Sequence, residues 1–127
     1  EVAEQYAPLL FHYKRLRPNS GGGGQYRGGL GEDILIESLS DSPIAVTFMA
    51  ERTRYGAPGL AGGEDGEVGS VQINGVEVDN RAQHHLETGA RIMIATPGGG
   101  GYGSRQDRRD DHVQTDQKLG YETKDAT

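Results

Sequence analysis

Three stretches dominate the sequence: SGGGGQYRGGLG (residues 20–31), GAPGLAGGEDGEVG (56–69) and PGGGGYG (97–103). They hold most of the 21 glycines in this 127-residue chain, more than twice the average usage of about 7%. Glycine loses more conformational freedom on ordering than any other residue, so glycine-rich segments fold only where backbone must approach something closely or turn with positive φ. The last run follows RIMIA, a well-formed strand pattern. It therefore has three readings: a flexible linker, a phosphate cradle, or a structural corner of a larger protein.

With only 33% hydrophobic residues, the chain cannot build a thick helical bundle, but short strands joined by turns remain open to it. At 127 residues it is at most one domain. The absence of cysteine excludes disulfides and thiolate metal sites, and fits a reducing, cytoplasmic setting. A net charge of −6 argues against nucleic acid as a partner. No apolar run approaches the roughly 18 residues of a membrane span, and no signal-peptide pattern opens the chain. The chain begins with glutamate, which suggests a segment cut from a longer polypeptide.

Along the chain, EVAEQYA is ambiguous, and LLFHYKRL reads as an extended edge strand with Phe11, Tyr13 and Arg15 on one side. DILIESL (33–39) and PIAVTFMAER (43–52) read as strands separated by the turn DSP. SVQI-NG-VEVD reads as a hairpin, Asn74-Gly75 supplying the two positive-φ residues of a type I′ turn. ARIMIAT (90–96) is a further strand. The charged tail has few apolar anchors; Asp110 or Asp111 caps a short helix that ends near Gly120, and the tail frays or docks on a surface outside the chain. The expected fold is mainly β: a sandwich or partly closed barrel of five to six short strands over residues 1–103, with a tail over 104–127.

No complete catalytic constellation is visible. GGGGYG (98–103) satisfies G-x-G-x-x-G, but no helix and no βαβ unit follow, so a dinucleotide site is excluded. No G-x-x-x-x-G-K-[ST] occurs. His84 and His85 are adjacent and would point to opposite faces of a strand, which leaves the ligand count for a metal unmet. Arg27, inside a loop rich in backbone N–H groups, could join an anion-binding nest or could simply pair with a carboxylate. Arg52, at a strand end beside a loop, is either a functional group or a surface arginine.

Three ordered motifs, RLRPNSGGGGQYRGGLG, AERTRYGAPGLAGG and LETGARIMIATPGGGGYG, resemble the C-terminal region of the hydantoinase B and 5-oxoprolinase family. The acetone carboxylase large subunit is a more distant relative. The chain departs from the family pattern at Asn19 and Ser104, where aspartate is usual, at Arg81, where lysine is usual, and at Ala90, which replaces an aspartate. The resemblance implies part of an ATP-dependent hydrolase that opens a cyclic amide such as 5-oxoproline or a hydantoin. A purely structural or assembly role is the alternative. It further implies ATP and a divalent metal for the complete enzyme, none of them bound by this segment alone, which would be inactive in isolation. The implied partners are the remainder of a B-type chain and an A-type ATP-binding subunit or domain, with no nucleic acid and no membrane. No residue is assigned a catalytic role. The candidate substrate or phosphate contacts are Arg27, Gly28 and Gly29 in the first glycine stretch and Gly99, Gly100, Gly101 and Tyr102 in the last. Arg52 and Arg81 complete the set.

Overall fold

The computed structural model describes residues 8–48, 50, 52–79 and 81–123; the ambiguous EVAEQYA lies outside them. Among the described residues seven strands are formed: β1 (Leu9–Leu16), β2 (Glu32–Ser38), β3 (Ile44–Thr47), β4 (Ser70–Ile73), β5 (Val76–Glu77), β6 (Gln83–Leu86) and β7 (Arg91–Ala95). A 3-10 turn (Arg105–Asp107) and one helix, α1 (Asp110–Leu119), follow. The main sheet has the order β1-β2-β7-β4-β5, and β3 and β6 form a second, two-stranded sheet. All pairings are antiparallel. The fold is mainly β as expected, but β1 and β5 stand at opposite edges of the main sheet, which does not close into a barrel.

Alternation explains which face is buried. Ile36, Ile92 and Ile73 are aligned across β2, β7 and β4, as are Ile34, Ile94 and Val71. Val71, Ala90 and Ile92 of this sheet region join the fully buried Leu86 of β6 in the core, with Val46 and Phe48 packed against them. The small sheet thus covers one face of the large one. The tip Asn74-Gly75 has φ of 52° and 82°, both positive, as a type I′ turn requires.

Three local expectations change. The register of β1 shifts between Phe11 and Tyr13, so Phe11 opposes Ile36 while Tyr13 opposes Leu35. A bulge therefore sends these two side chains to opposite faces, against simple alternation. The strand read over 43–52 ends at Thr47. Arg52 has φ of 54°, a left-handed conformation incompatible with continued strand. Finally, β6 was hidden because QHHL carries a single large apolar residue; pairing with β3 makes it a strand, with Ile44 opposite Leu86 and Val46 opposite His84.

The glycine stretches all emerge at one end of the main sheet and lie against one another. Their ladder is irregular but dense: Gly22 N donates to Gly99 O at 2.8 Å, Gly99 N to Gly29 O at 2.9 Å, Glu64 N to Gly23 O at 2.7 Å, and Gly101 N to Glu64 O at 2.9 Å. The spacing between segments has no room for side chains. A Cβ on Gly22 would strike the Glu64 carbonyl, one on Gly28 the Gly99 carbonyl, and one on Gly98 the Ser20 carbonyl, each far inside 3.0 Å. Contacts of this type place Cα–H groups against carbonyl oxygens, and each contributes about 0.5–1 kcal/mol. Arg17 fastens the base, its Nη1 donating to Val68 O at 2.8 Å and to Thr96 O at 2.9 Å, so one guanidinium just before the first stretch holds the end of the second and the residue that precedes the third. Ser20, fully buried, donates to Arg17 O at 2.6 Å and accepts from Gly31 N at 2.9 Å.

Gly98→Ala is expected to destabilise the protein by about 2–3 kcal/mol through backbone overpacking. Gly29→Ala, where an added Cβ meets nothing within 4 Å, is expected to be neutral or stabilising by about 0.5 kcal/mol. Denaturant midpoints of the two variants check this pair.

Candidate functional site

Two groupings emerge from the candidate residues, and they share no residue. The first is a floor of backbone at the outer end of the glycine bundle. Gly29 is exposed on it and Gly99 and Gly100 are half-buried, Gly28 and Gly101 are buried within it, and Tyr102 is exposed beside them. Tyr102 N and O each exchange a 2.9 Å hydrogen bond with Tyr26, and Leu60 bridges to Tyr102 on its other side. The Tyr26 and Tyr102 rings lie 6.3 Å apart, and Tyr26, Leu60 and Tyr102 are all more than half exposed. Leu60 is placed by a tight turn, with Gly63 N donating to Leu60 O at 2.9 Å and both Ala61 and Gly62 at positive φ. This second type I′-like turn was not legible, because alanine rarely occupies such a position.

Arg27 supports this floor from below. Its Nε donates to Asp116 Oδ2 at 2.7 Å, Nη2 to Asp116 Oδ1 at 3.3 Å, and Nη1 to Gly28 O at 2.7 Å. Arg108 Nη2 reaches the same Asp116 Oδ2 at 2.7 Å. Of the two readings of Arg27, the carboxylate pair is the one its contacts match. Asp116 is nearly fully buried on α1, which therefore docks on this chain's own glycine loop. Burial works to raise the Asp116 pKa, but the hydrogen bonds and charges of Arg27 and Arg108 outweigh it and hold the carboxyl below its ordinary range.

The neighbouring helix ends are only partly as read. Gly120, at φ of 77°, closes α1 in the left-handed conformation, with its N–H directed at Asp116 O and Gln117 O. The N-cap, however, is Arg109, and Asp110 and Asp111 lie in the first turn, where a carboxylate still favours the helix dipole. Beyond α1 the chain is clasped to the first glycine stretch. Asn19 Nδ2 donates to Thr123 Oγ1 at 2.7 Å, and Thr123 N donates to Asn19 Oδ1 at 2.9 Å. Asn19 itself has φ of 62°, a conformation asparagine tolerates.

The second grouping unites Arg52 and Arg81, far apart in sequence, in one cavity of about 550 Å³ with Arg54, Tyr55 and Asp79. Sequence reasoning missed Arg54 and Tyr55, although both stand in the quoted motif AERTRYG. The histidines do not converge. His84 Nε2 lies 2.7 Å from Asp79 O, while His12 pairs with Glu37 at 2.8 Å on the main sheet. That His12 hydrogen bond is the main reason the Glu37 pKa is lowered, with burial opposing and Arg91 assisting. Among the described residues, no group of three or more His, Asp or Glu side chains is arranged to hold a metal ion.

An open antiparallel sheet crowned by interleaved glycine segments defines a mainly β unit held at one end by backbone packing. The model of the hydantoinase B/oxoprolinase family matches residues 1–105, and the chain belongs to that family. It is 37% identical over 111 residues to 5-oxoprolinase 1 of Arabidopsis thaliana, covering 82% of this chain and 8% of that protein. The ATP-dependent caprolactamase of Pseudomonas jessenii superposes with a TM-score of 0.75 at 27% identity, covering 94% of this chain and 22% of that one. A nucleotide-free acetone carboxylase has the same fold, with a TM-score of 0.67 at 20% identity over 92% of this chain and 20% of its own. The chain thus spans less than a quarter of each.

Asp116→Asn is expected to cost about 3 kcal/mol by leaving two largely buried guanidinium groups without their counterion. Because the folded Asp116 pKa is depressed, its contribution is fully present above the unfolded value of about 3.9 and fades as pH falls towards the folded value. Hydrogen exchange localised to α1 should rise in that acid window in the wild type, and the rise should be absent in Asp116→Asn.

Proposed function

We propose that this chain is the C-terminal part of an ATP-dependent cyclic-amide hydrolase, opening 5-oxoproline or a hydantoin ring, and that its glycine floor forms one wall of a site shared with the rest of the protein. A ring amide is stabilised by resonance and is a poor electrophile. ATP supplies the remedy in such an enzyme by phosphorylating the amide oxygen, and an A-type subunit or domain would perform that step. The part played by this chain is to present close-approach backbone and exclude water. A cytoplasmic location accompanies this reading, and no helix among the described residues is long and apolar enough to cross a membrane.

The observation that carries the proposal is Gly29. Each of the other 20 glycines has either positive φ or a heavy atom within 4 Å of its would-be Cβ, whereas Gly29 has neither. The chain's own packing therefore gives no reason for glycine there. Its partner across the floor is Gly99, bound to it through the 2.9 Å N–H to carbonyl contact. A surface without side chains suits a ligand or a neighbouring backbone that must come very close. Arg27 serves this reading as a support, holding Gly28 O and fixing the loop through Asp116. The exposed Tyr26–Leu60–Tyr102 cluster favours the second reading, in which the same face only packs the assembly together.

Gly29→Leu in the complete enzyme separates the two. ATP-dependent turnover of 5-oxoproline, hydantoin and caprolactam should fall by about tenfold or more, the effect of a small misplacement at a reacting site, with the assembly intact by size-exclusion chromatography. Unchanged turnover, or loss of assembly in place of loss of turnover, would remove the glycine floor from the site.

A further inference from the structure

The ten arginines of this chain divide sharply by their partners. Arg15 lies over the Tyr13 ring at 4.3 Å, and Arg17 donates to the Val68 and Thr96 carbonyls. Arg27 and Arg108 share Asp116, Arg91 meets Glu37, Arg105 meets Glu64, and Arg109 meets Asp111. The remaining three, Arg52, Arg54 and Arg81, have no side-chain partner among the described residues. All three line the same cavity.

This clustering runs against the chain's electrostatics. There are 19 acidic residues against 13 basic ones, so carboxylates to neutralise three guanidinium groups are plentiful. Among the described residues, Asp79 is the one carboxylate that lines the cavity, and its Oδ1 accepts the Arg81 backbone N–H at 2.9 Å. Three exposed guanidinium groups thus face one carboxylate among the described lining residues, a local excess of positive charge on an acidic chain. Backbone strain accompanies it. Arg52 sits at φ of 54°, held there by Gly69 N donating to Arg52 O at 3.0 Å. A left-handed residue other than glycine costs roughly 1–2 kcal/mol. Such outliers persist where the surroundings enforce them, and they gather at ligand clamps.

We propose that this cavity is an oxyanion-binding site that takes the carboxylate or phosphate group of a small ligand. Its volume of about 550 Å³ suits a small molecule rather than a bare ion. Guanidinium forks bind either anion with two parallel hydrogen bonds, and the Tyr55 hydroxyl adds a further donor. Arg81 reaches the cavity from the segment after β5, and Arg52 and Arg54 from the segment after β3. A bound anion would therefore tie these two connections together. The cavity shares no residue with the glycine floor, so the proposal stands or falls independently of the reaction proposed above.

Arginine footprinting of the full-length protein with phenylglyoxal, read by mass spectrometry, tests it. Inorganic phosphate, acetate and chloride are compared at matched ionic strength. In chloride, Arg52, Arg54 and Arg81 should all be modified. Phosphate or acetate should protect the three together several-fold and leave Arg109, 70% exposed and outside the cavity, unprotected. Protection by phosphate alone assigns a phosphoryl ligand, and protection by acetate assigns a carboxylate. Arg54→Lys keeps the charge but loses the fork, and should raise the anion concentration needed for protection at Arg52 and Arg81 by roughly tenfold. The proposal is overturned if neither anion protects, if Arg109 is protected equally, if the three are unreactive in chloride, or if Arg54→Lys changes nothing.

Discussion

In the glycine bundle, a carbonyl oxygen of one segment occupies the place where a side chain of its neighbour would begin. That single steric relation organises the rest of the protein. It brings the loops after β1, β3 and β7 to one end of the sheet, and it lets Arg17 reach two foreign carbonyls at once. It also gives α1 a surface to dock on through Asp116. The hydrophobic core, with four buried apolar residues among those described, is too small to impose this arrangement by itself. Hydrogen bonding between backbones of different segments supplies the specificity that side-chain interdigitation supplies elsewhere.

The strands were legible where alternation or turn chemistry was strong, as in Ser70–Glu77, and illegible where pairing alone makes the strand, as in Gln83–Leu86. The bulge between Phe11 and Tyr13 has no local signal, since it is fixed by register against β2. The candidate site divides in the same way. The glycines announced close backbone approach, but no residue pattern could tell which of them face their own chain and which face outwards. The arginine cavity needed the fold, because a 27-residue interval separates Arg54 from Arg81 and only three-dimensional proximity makes them a group.

The four positions read from the sequence as departures each have a definite structural setting. Ser104 caps the 3-10 turn, its hydroxyl accepting from Gln106 N at 3.3 Å, a role that serine and aspartate perform about equally well. Ala90 is 5% exposed within the core, where a carboxylate would need a partner that the surrounding apolar residues do not offer. Asn19 combines a tolerated left-handed backbone with an amide that both donates to and accepts from Thr123. Arg81 is different in kind, for it adds a planar fork where lysine would bring a point charge.

A unit held together by glycine backbone buries peptide groups and little hydrocarbon. Exposure of apolar surface raises heat capacity on unfolding, while exposure of polar surface lowers it, so the two terms here come closer to cancelling than in an ordinary domain. The bundle should accordingly have a flatter stability curve than its size suggests. Its strength would then vary little between cold and warm conditions, while the apolar sheet beneath it follows the usual steep dependence.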